Sequence, residues 1–383
     1  MLNFGFHQAF PYLYTAQWIK CTLRDMTEVR NHNYCLILAG GVGSRLWPVS
    51  TESKPKQFLD LLGTGRTLLQ MTYDRVSSFV PTDNIFISTN VQYLDLVYEQ
   101  LPDVDDYHIL EEPLRRGSLA SVVWGMVFMM HIDAEAAVLV TPCDQMIVGE
   151  EVCKREMLEA LSYVSRHDNL VVVGVKPTRP ETGYGYIQKG VATEDTRGVY
   201  RLKTFTEKPA LAFARLFVDE GDFLWNTGLH LFKAKYFLQQ IYDLLPEYQI
   251  AIPRLMADAE SDDVKLAPDV FMMLPRLGLD GGVLERSSNV CVLESTFGWS
   301  DLGTWGSLHE DGQQDAMGNV LVDSEADFYD CTDNTVRLPQ GVRLVAKGLH
   351  DFVIVQEGDT LLICPRADVT RLAREHKLNQ KRD

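Results

Sequence analysis

The fold predicted by this sequence is α/β, built on a mixed and mostly parallel central sheet and followed by a smaller β-rich segment. Three observations carry the prediction. Short apolar runs of strand length alternate with segments of helical period up to Gly318, the pattern of successive β-loop-α units. The run Tyr34-Cys35-Leu36-Ile37-Leu38 breaks at once into Ala39-Gly40-Gly41-Val42-Gly43-Ser44-Arg45, as a buried strand does when it ends at a polar site. After Gly318 the helical period stops and short β-branched runs recur at close intervals.

The elements follow in order. Leu69, Tyr73, Val76 and Val80 stand at helical spacing over 67–80, and 84–88 reads as the next strand, closing one β-loop-α-β unit. A second helix is predicted over 91–101, where Leu94, Val97 and Leu101 share a face, and a short strand over 108–110. Residues 118–131 are apolar almost all round, as in a helix buried between a sheet and another layer. The run 136–140 reads as a central strand ending in Thr141-Pro142-Cys143-Asp144, 150–167 as a helix and 170–175 as a strand. The chain then changes character, with β-like pieces that hold polar residues beside glycine and aromatics: Gly183-Tyr184-Gly185-Tyr186-Ile187, 199–209 with Glu207-Lys208-Pro209, and Leu224-Trp225-Asn226-Thr227-Gly228-Leu229. Each alone fits a β-turn with a packed aromatic. Together they fit a site that shows backbone and a flat apolar face to a sugar ring. A helix is predicted over 234–250, a mixed region up to 282, and a strand over 288–294 leading into Phe297-Gly298-Trp299-Ser300-Asp301-Leu302-Gly303-Thr304-Trp305. The tail carries β runs at 319–322, 335–338, 342–346, 352–355 and 360–363, with a closing helix at 367–377.

A chain of 383 residues has room for two domains, here 33–315 and 316–383. Residues 1–32 precede the strand that opens the fold and are expected to be a disordered tail or a mis-called start, with Met26 as an alternative initiation. The formal net charge of −17 argues against nucleic-acid and anionic-membrane partners, whose binding relies on clustered Lys and Arg, so any phosphate must be met locally, together with a metal. The seven cysteines lie far apart with no C-x-x-C pair, the usage of a reduced, cytoplasmic protein. Neither an apolar run of membrane-spanning length nor a secretory leader pattern stands out.

Chemistry is concentrated at a few points. Glycines let backbone N–H groups approach an anion, and Arg45, with Lys56 of Lys54-Pro55-Lys56-Gln57-Phe58, supplies countercharge. The loop is not a G-x-x-x-x-G-K-[ST] phosphate loop, and Leu46 stands where G-x-G-x-x-G requires its third glycine. Asp144 and Asp301 each follow a predicted strand, where open α/β sheets bind ligands. Two carboxylates converging on one point call for a cation, and Mg²⁺, sharing its remaining positions with water and phosphate oxygens, suits them. Phosphoryl and nucleotidyl transfer depend mainly on positioning and charge neutralisation, which this set can supply.

Residues 38–50, from Leu38 through Leu46-Trp47-Pro48 to Ser50, together with Lys54-Pro55-Lys56-Gln57-Phe58, resemble the signature of the mannose-1-phosphate guanylyltransferases of the sugar nucleotidyltransferase family. Thr141-Pro142-Cys143-Asp144-Gln145, Phe205-Thr206-Glu207-Lys208-Pro209, Trp225-Asn226-Thr227-Gly228 and Trp299-Ser300-Asp301-Leu302-Gly303-Thr304-Trp305 resemble further family motifs in the same order, so the likeness runs from about Tyr34 to the end. The resemblance implies a Rossmann-like nucleotidyltransferase domain with a small left-handed β-helix after it, and the sequence is expected to end before the isomerase domain that some bifunctional members carry. It implies that Gly40, Gly41, Gly43, Ser44 and Arg45 wrap the triphosphate of GTP, that Arg45 and Lys56 neutralise it and the leaving pyrophosphate, and that Asp144 and Asp301 hold Mg²⁺. On the acceptor side it implies that Glu207 and Asn226 take mannose hydroxyls, that Gly185 offers backbone to the sugar, with Gly228 in the same set, and that Lys208 binds the sugar phosphate. Glu112 and Arg116, in Glu112-Pro113-Leu114-Arg115-Arg116, match Glu-Pro-x-x-Arg, with Glu112 accepting from guanine. Two departures bear on base and ribose contacts: Gly117-Ser118-Leu119 follows Arg116 where the family has Asn-Thr-Ala, and Gln145 follows Asp144 where it has His.

The implied reaction is α-D-mannose 1-phosphate plus GTP giving GDP-mannose and pyrophosphate, by a homo-oligomer, a dimer. Three alternatives stay open at this point: another hexose 1-phosphate or NTP, a non-catalytic regulatory subunit that senses GDP-mannose, and a plain sugar-phosphate binding protein.

Overall fold

A computed structural model describes residues 31–194, 198–259 and 268–380, with backbone alone for Ser44 and 377–380. All but the last two residues of the expected N-terminal extension lie outside the described residues. The strands before residue 301 are β1 (Asn33–Leu38), β2 (Ile85–Asn90), β3 (Ile109–Glu112), β4 (Ala137–Pro142), β5 (Met146–Val148), β6 (Leu170–Val175), β7 (Gly185–Ala192), β8 (Val199–Glu207), β9 (Phe223–Lys233), β10 (Val290–Ser295) and β11 (Gly298–Ser300). All except β5 and β11 form one nine-stranded sheet in the order β3-β2-β1-β4-β9-β6-β10-β8-β7, with β7 also pairing β9. β1 runs parallel to β2 and β4, β2 to β3, and β6 to β10. β9 is antiparallel to both β4 and β6, and β8 to β10 and β7. The sheet is thus mixed, with the β3-β2-β1-β4 half made of β-loop-α units as predicted, but it is not mostly parallel: β7, β8 and β9 enter it antiparallel to their neighbours.

Parallel neighbours need crossovers, and the helices supply them. They are α1 (Leu68–Ser77), α2 (Leu94–Gln100), α3 (Ser118–Ile132), α4 (Glu150–Arg166), α5 (Leu211–Glu220), α6 (Ala234–Leu244), α7 (Tyr248–Ala259), α8 (Pro268–Met273), α9 (Trp305–Asp311) and α10 (Val369–Gln380). Side chains alternate across each strand, so β1 sends Tyr34 and Leu36 into a core with α3, α6 and α7, and Cys35 and Ile37 into a second core with α1, α2 and α4. The all-round apolar α3 is buried on every side, as its sequence predicts. It presses so close to β1 that a Cβ on Gly125 would fall 2.5 Å from Leu36 Cδ2. Leu68–Ser77 begins at Thr67 with a capping box to Gln70, which sets the end of the long glycine-loop connection.

The single helix predicted over 234–250 is a correction: α6 stops at Leu244 and α7 starts at Tyr248. Pro246 accounts for the break, because a proline forces the residue before it out of the helical region, and Leu245 is extended at φ −129°.

After Gly318 come β12 (Val320–Val322), β13 (Glu325–Tyr329), β14 (Thr335–Arg337), β15 (Arg343–Lys347), β16 (Phe352–Glu357) and β17 (Thr360–Pro365). β12, β14 and β16 stack in parallel, β13 pairs parallel with β15, and only β17 returns antiparallel to β16. Buried asparagines link successive turns: Asn319 Oδ1 accepts from Asn334 N at 3.0 Å, and Asn334 Oδ1 accepts from Phe352 N at 3.0 Å. This segment shares a core with the glycine-loop region, in which Leu46, Val49, Leu302 and Trp305 pack with Val320, Val353, Leu362 and Val369. Among the described residues no helix is long and apolar enough to cross a membrane.

Candidate active site

The carboxyl ends of β1 and β4 lie side by side, which places the glycine loop next to Asp144. Asp144 stands two residues before β5 and Asp301 directly follows β11. β5 and β11 pair antiparallel with Met146 opposite Ser300, so this two-stranded ribbon carries both carboxylates at one end. Lys56 lies between them. Its Nζ donates to the Asp301 carbonyl at 2.8 Å and pairs with Asp144 Oδ2 at 3.1 Å, while the side chain is nearly buried. Gly43 makes this approach possible. It sits at φ 56°, in the left-handed region, and a Cβ there would meet Lys56 Cγ at 2.9 Å. Gln57, 1% exposed, donates through Nε2 to the carbonyls of Ala39 at 3.0 Å and Gly41 at 2.8 Å, fixing the loop from below.

The Asp301 carboxylate is itself held. Its Oδ1 accepts from the Tyr184 hydroxyl and from Gly303 N, each at 2.9 Å. A Cβ on Gly303 would run into Asp301 Oδ2 and would lie 3.2 Å from Arg45 Nη2, so the Asp301 carboxylate and the Arg45 guanidinium both border this glycine. Burial, and then the Asp301 charge, push the Tyr184 phenol well above its ordinary range, so it remains a donor.

The residues expected on the acceptor side gather beside this centre. β7 and β8 pair with Gly185 opposite Glu207, and a Cβ on Gly185 would fall 2.8 Å from Glu207 Oε2. Lys208 turns through φ 47°, its N–H donates to the Tyr184 carbonyl at 3.2 Å, and its ammonium pairs with the Glu207 carboxylate. Asn226 Oδ1 accepts from Gly228 N at 3.1 Å, and its Nδ2 donates to Asp280 Oδ1 at 3.0 Å. His230 joins them, with Nε2 3.1 Å from Asp280 Oδ1 and Nδ1 2.9 Å from the Gly228 carbonyl. Burial alone would raise the Asp280 carboxyl, but the hydrogen bond and charge of His230, with the Asn226 amide and Lys208, pull it below the usual carboxylate range. Asp280 and His230 are functional candidates that the sequence does not single out. Asp280 lies in the unpatterned stretch before β10, and His230 is marked only by following the Trp225-Asn226-Thr227-Gly228 motif on β9.

On the far side of the glycine loop, Glu112 ends β3 with its carboxylate 3.7 Å from where a Gly40 Cβ would stand. Ser88 Oγ donates to Glu112 Oε1 at 2.6 Å, and burial pushes this carboxyl up. Arg115 donates to the Tyr93 hydroxyl at 2.5 Å, whereas the buried Arg116 Nε has no hydrogen-bond partner among the described residues. The Ser44 side chain lies outside what is described. A Cβ on Gly41 would meet nothing within 4 Å, so the loop is open there.

A glycine loop with two cations, and two carboxylates at one end of a ribbon beside it, define the class: an α/β transferase site for nucleotide phosphates. The sequence model of the family described as Nucleotidyl transferase matches residues 34–317, and the chain belongs to that family. Within it the chain groups with the mannose-1-phosphate guanylyltransferases. It is 32% identical over 344 residues to a mannose-1-phosphate guanylyltransferase of Escherichia coli, covering 87% of this chain and 73% of the relative. It is 33% identical over 341 residues to one from Salmonella typhimurium, covering 87% and 70%. Among solved structures, a Thermus thermophilus protein described as a mannose-1-phosphate geranyltransferase superposes with a TM-score of 0.81 at 29% identity, covering 91% of this chain and 100% of the other.

Proposed function

We propose that the protein transfers GMP from GTP to α-D-mannose 1-phosphate, giving GDP-mannose and pyrophosphate. The observation that carries this is the Lys56 ammonium, held between the Asp301 carbonyl and Asp144 Oδ2 against the glycine loop. A purely sugar-phosphate binding protein has no need of a triphosphate cradle beside paired carboxylates, and neither does a sensor of the finished product.

In the proposed reaction a phosphate oxygen of mannose 1-phosphate attacks the α-phosphorus of GTP. The new P–O bond forms as the bond to the bridging oxygen of pyrophosphate breaks, and the sugar C1–O bond is untouched. Arg45 and Lys56 offset the charge that grows on the leaving group, and the backbone of Gly40, Gly41 and Gly43 borders it. On the acceptor side Glu207 and Asn226 orient the mannose hydroxyls, with Gly185 and Gly228 allowing close approach, while Lys208 receives the sugar phosphate. Glu112 and Arg116 border the nucleoside. The proposed metal-binding donors are Asp144, half-exposed, and Asp301, whose carboxylate hydrogen bonds among the described residues fall on Oδ1 and leave Oδ2 for a cation. No group of three or more ligating side chains occurs among the described residues, and two hard carboxylates with open positions are the set that fits Mg²⁺, an ion that keeps water and phosphate oxygens. When bound, Mg²⁺ would add positive charge beside the triphosphate.

We assign 33–315 to the transferase domain and 316–383 to a short left-handed β-helix with its closing helix. The parallel stacking of β12, β14 and β16 and the Asn319–Asn334 ladder support that assignment.

Pyrophosphate release measured with four NTPs crossed against mannose 1-phosphate and glucose 1-phosphate tests the function. GTP with mannose 1-phosphate should give the highest kcat/KM, and no pyrophosphate with any pair would refute transfer. Glu207→Gln keeps the shape but weakens hydrogen bonds to the sugar, so the KM for mannose 1-phosphate should rise roughly tenfold while the KM for GTP stays put. An unchanged KM for the sugar phosphate would remove Glu207 from the sugar site.

A further inference from the structure

Tyr184 stands between the two halves of the site, and no sequence motif assigns it a part in the reaction. Its neighbour Gly185 opens β7 opposite Glu207. Its carbonyl accepts from Lys208 N at 3.2 Å, where Lys208 holds the uncommon φ of 47°. Its hydroxyl donates to Asp301 Oδ1 at 2.9 Å, and the only other hydrogen bond to that oxygen among the described residues comes from Gly303 N. The ring is fixed edge-on against Trp225 and Trp299, at centroid distances of 5.2 and 5.1 Å, and Trp299 in turn donates to Gln145 next to Asp144. One side chain and its own carbonyl therefore set the backbone that aims Lys208 and the rotamer of Asp301.

We infer that Tyr184 is a positioning residue that couples the acceptor loop to the metal-binding carboxylate, so that the sugar phosphate and the divalent ion are presented in one fixed geometry. The inference rests on the guanylyl-transfer function proposed above. Without the hydroxyl, Asp301 keeps one backbone donor and its carboxylate can rotate about χ2, whereas the ring, the Trp contacts and the Lys208 bond to the Tyr184 carbonyl all remain. The damage is thus confined to the carboxylate.

Tyr184→Phe tests this on the full chain. Losing one hydrogen bond to a charged group should lower kcat roughly tenfold and weaken binding of Mn²⁺, measured by electron paramagnetic resonance without substrates, several-fold. The thermal midpoint and the KM for GTP at saturating metal should stay close to the parent's, and raising the metal concentration should recover part of the rate. Parent-like Mn²⁺ binding and kcat in Tyr184→Phe overturn the coupling while leaving guanylyl transfer intact. A rate loss that only tracks a lowered thermal midpoint, with metal affinity unchanged, overturns it as well. A parent protein that makes no GDP-mannose defeats the underlying function instead.

Discussion

Lys56→Ala should lower the turnover of GDP-mannose synthesis by about 10²- to 10³-fold at saturating Mg²⁺ and both substrates, the usual loss on removing one preorganised charge from a transferring phosphoryl group. The structure shows why no neighbour compensates. Lys56 Nζ touches both arms of the ribbon, through the Asp301 carbonyl and Asp144 Oδ2, and its stem fills the space that Gly43 leaves. Without it Asp144 loses its cation, and Arg45 becomes the one remaining countercharge of the pair proposed for the leaving group. Lys56→Arg should not restore the rate, because the longer, planar guanidinium cannot place one compact charge within 2.8 Å of the Asp301 carbonyl and 3.1 Å of Asp144 Oδ2 from the same buried stem. Single-turnover and steady-state pyrophosphate release, with circular dichroism to confirm the fold, check the outcome. Turnover of Lys56→Ala within a few-fold of the parent would refute the assignment of the site.

The parallel half of the sheet was legible because each of β1, β2 and β4 is an apolar run with a helical segment beyond it, and such runs have few other places to go. The antiparallel insertion of β9 between β4 and β6 was not. Strand direction leaves no mark on a run such as 224–229, whose neighbours are chosen by the whole sheet. The ribbon of β5 and β11 is only three residues a side, too short to show a period, yet its register is what brings Asp144 and Asp301 to one end. Motif residues were legible where glycine, proline or tryptophan marks them, as at Gly43, Lys56 and Asn226. Asp280 was hidden for the opposite reason: it reaches Asn226 across 54 positions from a stretch with neither motif nor clear period, and only the fold reveals the contact. Tyr184 was visible as a member of Gly183-Tyr184-Gly185, but its hydrogen bond to Asp301 spans 117 positions and has no sequence signature.

Trp305→Ala should be the most destabilising of the substitutions considered, at about 3–5 kcal/mol, the range for emptying a large aromatic site in a packed core. Trp305 is 2% exposed, and its indole Nε1 donates to the Trp47 carbonyl at 3.1 Å. Around it Leu46 and Val49 come from the glycine-loop region, Leu302 from the residue after Asp301, and Val320, Val353 and Val369 from the β-rich tail and its closing helix. The same helix meets the loop again where His376 packs on Trp47 at 4.8 Å. Leu46 adjoins Arg45 and Leu302 adjoins Asp301, so the core that Trp305 fills sets the spacing between the cation proposed for the triphosphate and the carboxylate proposed for the metal. A lowered urea midpoint in Trp305→Ala should therefore be accompanied by a raised KM for GTP in the protein that remains folded, with the KM for mannose 1-phosphate changing less. Trp305→Phe keeps most of the packing but loses the bond to Trp47, and it should cost about 1–2 kcal/mol with a correspondingly smaller rise in KM. Reduced stability with an unaltered KM for GTP in both variants would confine Trp305 to holding the fold and detach the tail from the donor site.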